Sequence, residues 1–314
     1  MCCVVVYGMG QLGSEIMYGL TKKPLNFYYH SYGGQSTRGY RFKFKNSEHT
    51  VDVVNSVLLR NHDEKFKLIR EVSCIIVTLT GEQLEQEIDF LLELRIPLVI
   101  CSTNYDQEML RSKAENECVS VVMSDNFALP ILDFWQKIEA LESPPEGFTP
   151  RIHVTESHQS TKLDYSASAI KAMSLFAKKG FLVDMPNLSD FKPKSITVSG
   201  SMISLRSRED AIKYSQVPEK FLDSHAYHRY FINYDTNGDQ EYIDYVFYFL
   251  HYFESLVDNS VPDVLEFKVE LVRNGIDIVH NVNGKSIYAD GVFKAIEYLK
   301  FNKGQFFGLD ILTV

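Results

Sequence analysis

Residues 2–13 read CCVVVYGMGQLG, and this stretch decides the fold class. Its first half, Cys2–Tyr7, is a short apolar run rich in β-branched residues, which is typical of a strand buried on both faces of a sheet. Gly8, Gly10 and Gly13 follow directly, ahead of a helical pattern. A glycine-rich turn between a strand and a helix places backbone N–H groups against a pyrophosphate. The stretch therefore predicts a dinucleotide-binding fold, with a plain tight turn in an α/β sheet as the alternative.

The alternation of strand and helix continues through the first half of the chain. Strand-like runs lie at residues 27–30, 72–79, 98–102 and 119–124, with helical patterns at 81–94 and 106–115. This order predicts a parallel, doubly wound sheet with its ligand at the carboxyl ends of the strands. The residues expected there, as contacts of the cofactor, are Gly8, Gly10, Gln11, Leu12, Gly13, Thr80, Ser102, Thr103, Asn126 and Phe127.

The type of dinucleotide depends on the segment that begins with the second predicted strand. An acidic residue about twenty positions past the glycines would bind the ribose 2′-hydroxyl of NAD. Residues 27–41 read FYYHSYGGQSTRGYR and contain no acid. Ser31 and Arg38 offer a hydroxyl and a cation that suit a 2′-phosphate. The segment therefore favours NADPH over NADH, with a polar loop that binds neither as the alternative.

The composition excludes several classes of protein. The formal net charge of −9 over 314 residues argues against a nucleic-acid partner, because phosphate binding needs a basic surface. No run of about eighteen apolar residues is present, so no membrane span is expected, and the first strand begins so near Met1 that we expect no transit peptide. The five cysteines have no zinc-binding spacing and are odd in number, which favours reduced thiols and a cytoplasmic protein. The histidines do not fall into ligand spacing either, so no metal site is expected.

The second half of the chain has a different order of predicted elements, because the alternation of strand and helix stops near Arg151. Strand-like runs occur at 151–158, 195–205, 227–234, 264–273 and 276–282, with helical patterns at 166–179 and 288–300. Neighbouring strands joined by short turns, such as RNG at 273–275, favour antiparallel or mixed pairing. We therefore expect a second, α+β domain with a mixed sheet.

Residues 156–164, ESHQSTKLD, combine titratable side chains where a predicted strand meets a predicted helix. A loop there can bring His158 and Lys162 to one pocket. Ser166 is placed to cap the helix, whose N–H groups at 167–169 then face a carboxylate. Lys162 can neutralise that acid or donate a proton after hydride transfer. The alternative is that Lys162 is a solvated charge and His158 a partly buried side chain with its hydrogen bonds satisfied.

Three motifs, in order, resemble the plant-type branch of the dihydrodipicolinate (4-hydroxy-tetrahydrodipicolinate) reductase family. The family pattern E-S-H-Q-x-S-K-x-D-x-S-G-T-A is matched by ESHQSTKLDYSASA at 156–169. The second motif has VPE at 217–219 followed by HAYHRY at 225–230, and the third is HNVNGKSIYADG at 280–291. The resemblance covers nearly the whole chain.

The resemblance implies a reductase of lysine (diaminopimelate) biosynthesis, in which NAD(P)H reduces a cyclic dicarboxylate with a conjugated imine to tetrahydrodipicolinate. Lys162 corresponds to the family's proton donor, and His158 to a histidine that lines the substrate site. The residues at the positions of further substrate contacts are Gln159, Ser166, Ala167, Ser168 and Lys285. Family members are homo-oligomers, so a dimer or tetramer is expected.

The resemblance also divides the chain into domains. Residues 1–127 with 288–314 are expected to form the dinucleotide-binding domain, because the family's C-terminal helix returns to it. Residues 128–287 are expected to bind substrate and to form the oligomer. Residues 239–262 lie where the family has a short turn, and their aromatic residues recur at helical spacing. This insertion is either a helix at an oligomer interface or an internal core helix.

The chain departs from the family pattern at several positions. Ala167 replaces a glycine, which costs on the order of 1 kcal/mol if that position needs a positive φ or a close approach. Lys285 replaces an arginine, so a bidentate grip on a carboxylate becomes a single contact. Residues 78–80 (TLT) and 101–103 (CST) differ from the family's cofactor loops. These changes leave two alternatives open: an NADP(H)-binding protein without turnover, and a reductase of another small imine or keto acid.

Overall fold

The computed structural model describes residues 2–8, 10–23, 25–31, 37–44, 47–55, 72–215, 217–223, 225–261 and 264–313. For residues 2, 3 and 313 and the strands within 25–55 it describes the backbone alone. The chain divides into two compact units: Met1–Leu132 with Lys285–Val314 form unit 1, and Asp133–Gly284 form unit 2.

The described strands and helices are numbered in chain order. The strands are β1 (Cys2–Tyr7), β2 (Leu25–Ser31), β3 (Thr37–Phe44), β4 (Ser47–Asn55), β5 (Cys74–Val77), β6 (Leu98–Ile100), β7 (Val121–Met123), β8 (Arg151–His158), β9 (Thr197–Ser199), β10 (Met202–Leu205), β11 (His225–Asn233), β12 (Leu265–Val272), β13 (Gly275–Asn283) and β14 (Gln305–Phe307). The α-helices are α1 (Gln11–Leu20), α2 (Gly81–Glu93), α3 (Gln107–Asn116), α4 (Leu129–Ala140), α5 (Ala167–Lys178), α6 (Arg208–Ser215), α7 (Gln240–Glu254) and α8 (Tyr288–Phe301).

The sheet of unit 1 has the described strand order β14-β7-β6-β5-β1-β2-β4-β3. Every neighbouring pair is parallel except β3 and β4, which are antiparallel. β5, β6 and β7 are buried along their whole length, which explains their uninterrupted apolar runs. The Rossmann-like parallel sheet predicted from the sequence is confirmed. The antiparallel β3–β4 pair is an addition that the sequence analysis missed.

Close packing inside unit 1 brings its C-terminal segment against its N-terminal part. A Cβ atom added at Gly19 of α1 would lie 2.2 Å from Cβ of Ala289 in α8. One added at Gly291 of α8 would lie 1.9 Å from the carbonyl oxygen of Phe127. These glycines therefore permit contacts that any side chain would prevent. β14 follows α8 and pairs with β7 at the edge of the sheet.

The sheet of unit 2 has the order β12-β13-β11-β8-β10-β9. β8 and β10 are parallel and the other neighbouring pairs are antiparallel, so the predicted mixed sheet is confirmed. The predicted turn between β12 and β13 contains Asn274 with a φ of 59°. The single strand predicted at 195–205 is wrong: it is the hairpin of β9 and β10. Gly200 turns the chain there with a φ of 54°, and a Cβ would meet the Asp184 carbonyl oxygen at 2.4 Å.

Helix α7 fills most of the predicted insertion and packs into an aromatic core of unit 2. Phe253 is fully buried, and its ring centroid lies 5.9 Å from that of Phe134 in α4. Phe249 lies 6.4 Å from Phe176 in α5, and Phe134 lies 5.2 Å from Tyr230 in β11. The apolar side of α7 is therefore used inside its own unit, which supports the internal-helix interpretation of the insertion.

Two smaller findings bear on the expectations from composition. Of the cysteines whose side chains are described, Cys74 and Cys101 are buried, Cys118 is exposed, and all three are free thiols. Burial raises the pKa of the Cys101 thiol well above its usual value, so this thiol is protonated and unreactive.

Within the described ranges, no helix combines the length and the apolar character needed to cross a lipid bilayer.

Candidate active site

Four loops of unit 1 meet at one edge of its sheet. β1, β5, β6 and β7 are parallel neighbours, so the residues that follow their carboxyl ends lie side by side. Parallel α/β sheets bind ligands at this edge. The residues predicted to contact the cofactor that lie in these loops or just after them are Gly8, Gly10, Gln11, Leu12, Gly13, Thr80, Ser102, Thr103, Asn126 and Phe127.

The glycine loop leaves one open approach to helix α1. Gly8 has a φ of 131°, and a Cβ at Gly13 would lie 2.4 Å from the Gly8 carbonyl oxygen, so both positions require glycine. Gly10 is the N-cap of α1, and no atom of the described residues lies within 4 Å of its Cβ position. No described side chain caps this helix, and its first turn has no acid. Phosphate binding at a helix N-terminus requires that arrangement.

The hydroxyl groups of Thr80, after β5, and Ser102, after β6, differ in their hydrogen bonding. Thr80 caps α2: its Oγ1 accepts a hydrogen bond from the Gln83 N–H at 3.3 Å, and the Gln83 side chain accepts one from the Thr80 N–H. Ser102 is buried, and its Oγ has no hydrogen-bond partner among the described residues. An unpaired buried hydroxyl is costly. Ser102 is therefore a fitting contact for a polar group of a bound nucleotide.

Two further predicted cofactor residues, Asn126 and Phe127, follow β7, and two others, Ser31 and Arg38, lie on β2 and β3. Oδ1 of Asn126 accepts a hydrogen bond from the Ala128 N–H at 2.7 Å, and Phe127 is buried in the core. Both side chains are thus used by the fold, and so is the Asn126 backbone: its N–H donates to Oγ of Ser124 at 3.2 Å, and its carbonyl oxygen accepts a hydrogen bond from the same hydroxyl. Ser31 ends β2 and Arg38 lies in β3. Their side chains are outside the described residues, so the 2′-phosphate site stays a prediction.

Unit 2 contains a row of polar side chains inside its sheet. Ser204, Glu156, His228 and His280 are successive cross-strand partners on β10, β8, β11 and β13. All four are buried. Residues in register on neighbouring strands point to the same face. The strand pairing therefore gathers a carboxylate, a hydroxyl and two imidazoles from distant parts of the sequence.

Glu156 is the charged centre of this row. Its Oε1 accepts hydrogen bonds from Oγ of Ser204 at 2.6 Å and from Nη2 of Arg206 at 2.7 Å, and its Oε2 lies 3.2 Å from Nε2 of His158. Burial acts to raise the pKa of this carboxyl, but the contacts with His158, Arg206 and Ser204 outweigh burial and lower it to about 2. Glu156 is therefore ionised at neutral pH.

The histidines near Glu156 are neutral. Burial lowers the pKa of His158 to about 4 although Glu156 acts in the opposite direction. Burial also lowers the pKa of His280 to about 3 and that of His228 well below its usual value. Nε2 of His158 lies 3.4 Å from Nε2 of His228, whose ring centroid is 4.6 Å from that of His280. Neutral imidazoles can hydrogen-bond a ligand without adding charge.

Ser166 caps helix α5 and connects it to the polar row. Its Oγ accepts a hydrogen bond from the Ala169 N–H at 3.4 Å and lies 2.7 Å from Nε2 of His228. The expectation that the Ala169 N–H is available to a carboxylate is therefore wrong, because the cap already occupies it. Ala167 begins the helix and is not among the residues with positive φ, so an alanine there adds no backbone strain. Ser168 is buried in the same first turn.

Lys162 lies on the loop between β8 and α5. Its Nζ forms an ion pair with the carboxylate of Asp164, and its backbone N–H donates to the carbonyl oxygen of Gln159 at 3.0 Å. The positive charge of Lys162 contributes to the lowered pKa of His158, so the two side chains lie within electrostatic reach. Lys285, the remaining predicted substrate contact, falls in unit 1.

One group of described residues is close enough to share a metal ion. Glu156, His158 and His228 each offer a donor atom, and these atoms lie within 4.8 Å of one another. Arg206 already neutralises Glu156, and a divalent cation next to a buried guanidinium would be strongly repelled. We therefore assign this group to hydrogen bonding and orientation.

The sequence analysis assigned no role to five buried polar residues around Glu156: Ser204, Glu156, Arg206, His228 and His280. Glu156 and His228 lie inside the quoted motifs, and polar residues at inward positions of an alternating strand are the signal that marks them. Arg206 begins the polar segment RSRED at 206–210, which has the composition of a surface loop. No local pattern distinguishes this arginine as a buried one.

Comparison with known proteins gives a consistent result, although no protein-family model matches the chain. The chain is 26% identical over 209 residues to the probable 4-hydroxy-tetrahydrodipicolinate reductase 1, chloroplastic, of rice, a match that covers 66% of this chain and 47% of the rice protein. It is 22% identical over 299 residues to the chloroplastic 4-hydroxy-tetrahydrodipicolinate reductase 1 of Arabidopsis thaliana, with 92% and 70% covered. The chain thus spans about half the length of the rice relative.

Solved structures share the fold. The dipicolinate-bound dihydrodipicolinate reductase of Paenisporosarcina sp. TG-14 superposes with a TM-score of 0.56 and 15% identity over 98% of both chains. Aspartate semialdehyde dehydrogenase II of Vibrio cholerae gives 0.54 and 11% over 96% of this chain and 99% of that one. Two activities occur on this fold, so the fold alone does not choose between them. The chain therefore has the fold of dihydrodipicolinate reductase, and its sequence relatives are plant 4-hydroxy-tetrahydrodipicolinate reductases.

Proposed function

We propose that the protein is an NAD(P)H-dependent reductase that forms tetrahydrodipicolinate in lysine (diaminopimelate) biosynthesis. Its substrate is dihydrodipicolinate or 4-hydroxy-tetrahydrodipicolinate, and the latter also loses a water molecule in the reaction. The observation that carries the proposal is the arrangement of side chains in the loop between β8 and α5. There Lys162, the neutral His158 and the capped first turn of α5 follow one another in the segment that matches the family. A dianionic substrate needs a cation and N–H donors close together. The names of the plant relatives support this substrate.

The side chains of unit 2 have distinct tasks in this reaction. A bound reduced nicotinamide supplies the hydride. The first turn of α5, held by the cap Ser166, binds a substrate carboxylate. Lys162 donates a proton from Nζ, with Asp164 as its counter-ion in the free protein. His158 hydrogen-bonds the substrate as a neutral imidazole, next to the ionised Glu156.

The cofactor is proposed to bind at the edge of unit 1 formed by the glycine loop and the loop of Ser102. Among the described residues, the Cβ position of Gly10 has no neighbour and the Ser102 hydroxyl has no hydrogen-bond partner, and both features fit a dinucleotide there. We propose NADPH as the preferred form over NADH, with Ser31 and Arg38 as contacts of the 2′-phosphate. Comparison of the dissociation constants of the two nucleotides tests this preference, and tighter binding of NADH would contradict it.

We further propose that the protein is a homo-oligomer, a dimer or tetramer, located in the cytoplasm. On the side of the unit 2 sheet opposite the polar row lies a groove of about 790 Å³, to which Tyr227, Arg229, Lys268 and Asp277 contribute. The sheet face that carries this groove is a surface on which a second copy of the chain could pack. Sedimentation equilibrium tests whether the protein is an oligomer.

The location is tested by imaging of a tagged protein, because the names of the plant relatives read chloroplastic.

Turnover is tested by following the oxidation of NADPH and NADH with the product of the preceding synthase as substrate. Lys162→Ala should lose about 10²- to 10⁴-fold in kcat, the usual contribution of a general acid. Lys178→Ala is the matched control, because Lys178 is an exposed lysine at the end of α5. Equal activity of the Lys162→Ala variant and the wild type would overturn the role of Lys162.

Two other outcomes lead to the alternatives. Binding of NADPH without turnover would favour a nucleotide-binding protein that no longer acts as a reductase. Turnover of a different small imine or keto acid would favour a reductase with another substrate. The presence of both His158 and Lys162 favours turnover over binding alone.

A further inference from the structure

Arg206 follows β10 and is fully buried. Its Nη2 donates hydrogen bonds to Oε1 of Glu156 and to the carbonyl oxygen of Asp164, both at 2.7 Å, and its Nη1 donates to the carbonyl oxygen of Leu205 at 2.9 Å. The guanidinium lies 5.2 Å from the ring centroid of Phe191. This arginine is therefore fixed on several sides by groups of its own unit.

The two groups held by Nη2 belong to the segments that carry the proposed reaction. Glu156 lies in β8, two residues before His158, and its other oxygen is 3.2 Å from the His158 ring. Asp164 lies in the following loop, two residues after Lys162. One nitrogen atom of Arg206 thus connects the strand of His158 to the loop of Lys162.

Stability alone is a poor explanation for this ion pair. Removing two charges from water is costly, and an apolar pair of similar volume is often as stable as a buried salt bridge or more stable. What an apolar pair cannot do is direct hydrogen bonds to a carboxylate and a carbonyl at the same time. Lysine is a poor replacement for the arginine, because it lacks the planar fork with which Nη1 holds the Leu205 carbonyl while Nη2 holds Glu156 and Asp164.

We propose that Arg206 is a positioning residue that holds His158 through Glu156, and the loop of Lys162 directly, in the arrangement required for catalysis. This inference rests on the proposed reductase activity. A displacement of about 1 Å in a catalytic group can cost on the order of 10²-fold in rate. Arg206 does not touch the substrate in this scheme, so its loss should act on kcat through the loop.

The first test compares Arg206→Lys with Arg208→Lys. Arg208 is a matched control two residues away, exposed and paired with Asp223 at 2.7 Å. Arg206→Lys should lower kcat by up to about 10²-fold, the cost of displacing a catalytic group by about 1 Å, and should leave the KM for the nucleotide unchanged. Arg208→Lys should match the wild type. Unchanged kcat in Arg206→Lys would overturn the proposal.

The second test needs no turnover and so separates this proposal from the proposed function. Hydrogen exchange measured by mass spectrometry should show faster exchange at residues 159–165 in Arg206→Lys, and unchanged exchange in β11–β13. Faster exchange throughout unit 2 would indicate a merely structural role and would count against positioning. If the wild type has no reductase activity, a local change still supports the role of Arg206 in holding the loop.

The third test is chemical rescue. Arg206→Ala leaves a cavity of guanidinium shape, so millimolar guanidinium should restore part of kcat, whereas the same concentration of sodium chloride should not. Lys162→Ala should not respond to guanidinium. If Arg206→Ala does not fold, Glu156→Gln/Arg206→Met removes both charges together and keeps the volume. Full activity in that double variant would overturn the proposal, and low kcat with an intact fold would support it.

Discussion

Nε2 of His228 lies 2.7 Å from Oγ of Ser166, so a residue of strand β11 contacts the cap of helix α5. The same hydroxyl accepts a hydrogen bond from the Ala169 N–H. Ser166 therefore joins the polar row of the sheet to the helix end at which we place a substrate carboxylate. A change at this serine should affect both stability and substrate binding.

Ser166→Ala is expected to lower the free energy of unfolding by about 2 kcal/mol. Loss of an N-cap costs about 1 kcal/mol, and His228 is left with one polar contact fewer, at a cost of about 1 kcal/mol or more. Urea unfolding measures the change. Ser166→Thr keeps the hydroxyl and is the control, which should lie within about 1 kcal/mol of the wild type. Equal stability of the alanine variant and the wild type would show that the cap contributes nothing.

Stability is expected to fall as the pH falls from about 6.5 to 4. The pKa of His158 is 6.5 in the unfolded chain and about 4 in the fold, so between these values the unfolded chain binds a proton that the folded protein does not. Burial lowers the pKa of His225, His228 and His280 in the same direction. The shift at His158 alone corresponds to a loss of about 2 kcal/mol at pH 5 relative to pH 7. Urea midpoints that do not change between pH 7 and 5 would contradict this prediction.

Two glycines of the glycine loop, Gly13 and Gly10, should respond differently to replacement by alanine. Gly13→Ala should destabilise the protein by about 1–3 kcal/mol, because its Cβ would lie 2.4 Å from the Gly8 carbonyl oxygen and 2.7 Å from Oγ1 of Thr78. The methyl of Gly10→Ala meets no atom within 4 Å in the part of the chain that the structure describes, and it should leave stability within about 0.5 kcal/mol. If a pyrophosphate lies against Gly10, the same methyl should weaken nucleotide binding. Thermal unfolding and fluorescence titration separate the two effects, and normal nucleotide affinity in Gly10→Ala would move the phosphate site elsewhere.

Helix α7 offers a stability test of the internal-helix interpretation. Phe253→Ala should cost about 3–5 kcal/mol, because Phe253 is fully buried against the ring of Phe134. Phe247, on the same helix, is 48% exposed, and Phe247→Ala should change stability by no more than about 0.5 kcal/mol. Denaturant unfolding of both variants provides the comparison. A larger loss of stability in Phe247→Ala than in Phe253→Ala would mean that the exposed side of α7 is covered in the native assembly.

Sequence patterns predicted those elements whose signal is local. The run Cys2–Tyr7 with its glycines specifies the start of a parallel sheet, and β8 was predicted with its observed bounds because inward and outward residues alternate along it. The β3–β4 pair was missed, since the polar residues at the start of β3 were interpreted as a loop that contacts a 2′-phosphate, and no strand was predicted at the position of β4. The hairpin at Gly200 was interpreted as one strand because β9 and β10 form a nearly continuous β-like run.

The site was predicted only in part, for a physical reason. His158, Lys162 and Ser166 are neighbours in sequence, so one segment reveals them. The pairing of Glu156 with Arg206 joins residues 50 positions apart, and it depends on the register of β8 and β10. Strand register over such a distance leaves no local trace in a single sequence. Long-range polar partners of this kind therefore have to be read from the fold.

The position of β14 has a consequence for synthesis of the protein. β14 pairs with β7, and α8 contacts α1, yet both are translated after the whole of unit 2. At about 5–20 residues per second, β7 waits roughly 10–40 s on the ribosome for its partner strand. During that time it is an unprotected sheet edge of the kind that pairs with foreign strands. A nascent chain paused within unit 2 is thus the stage at which a chaperone is most needed.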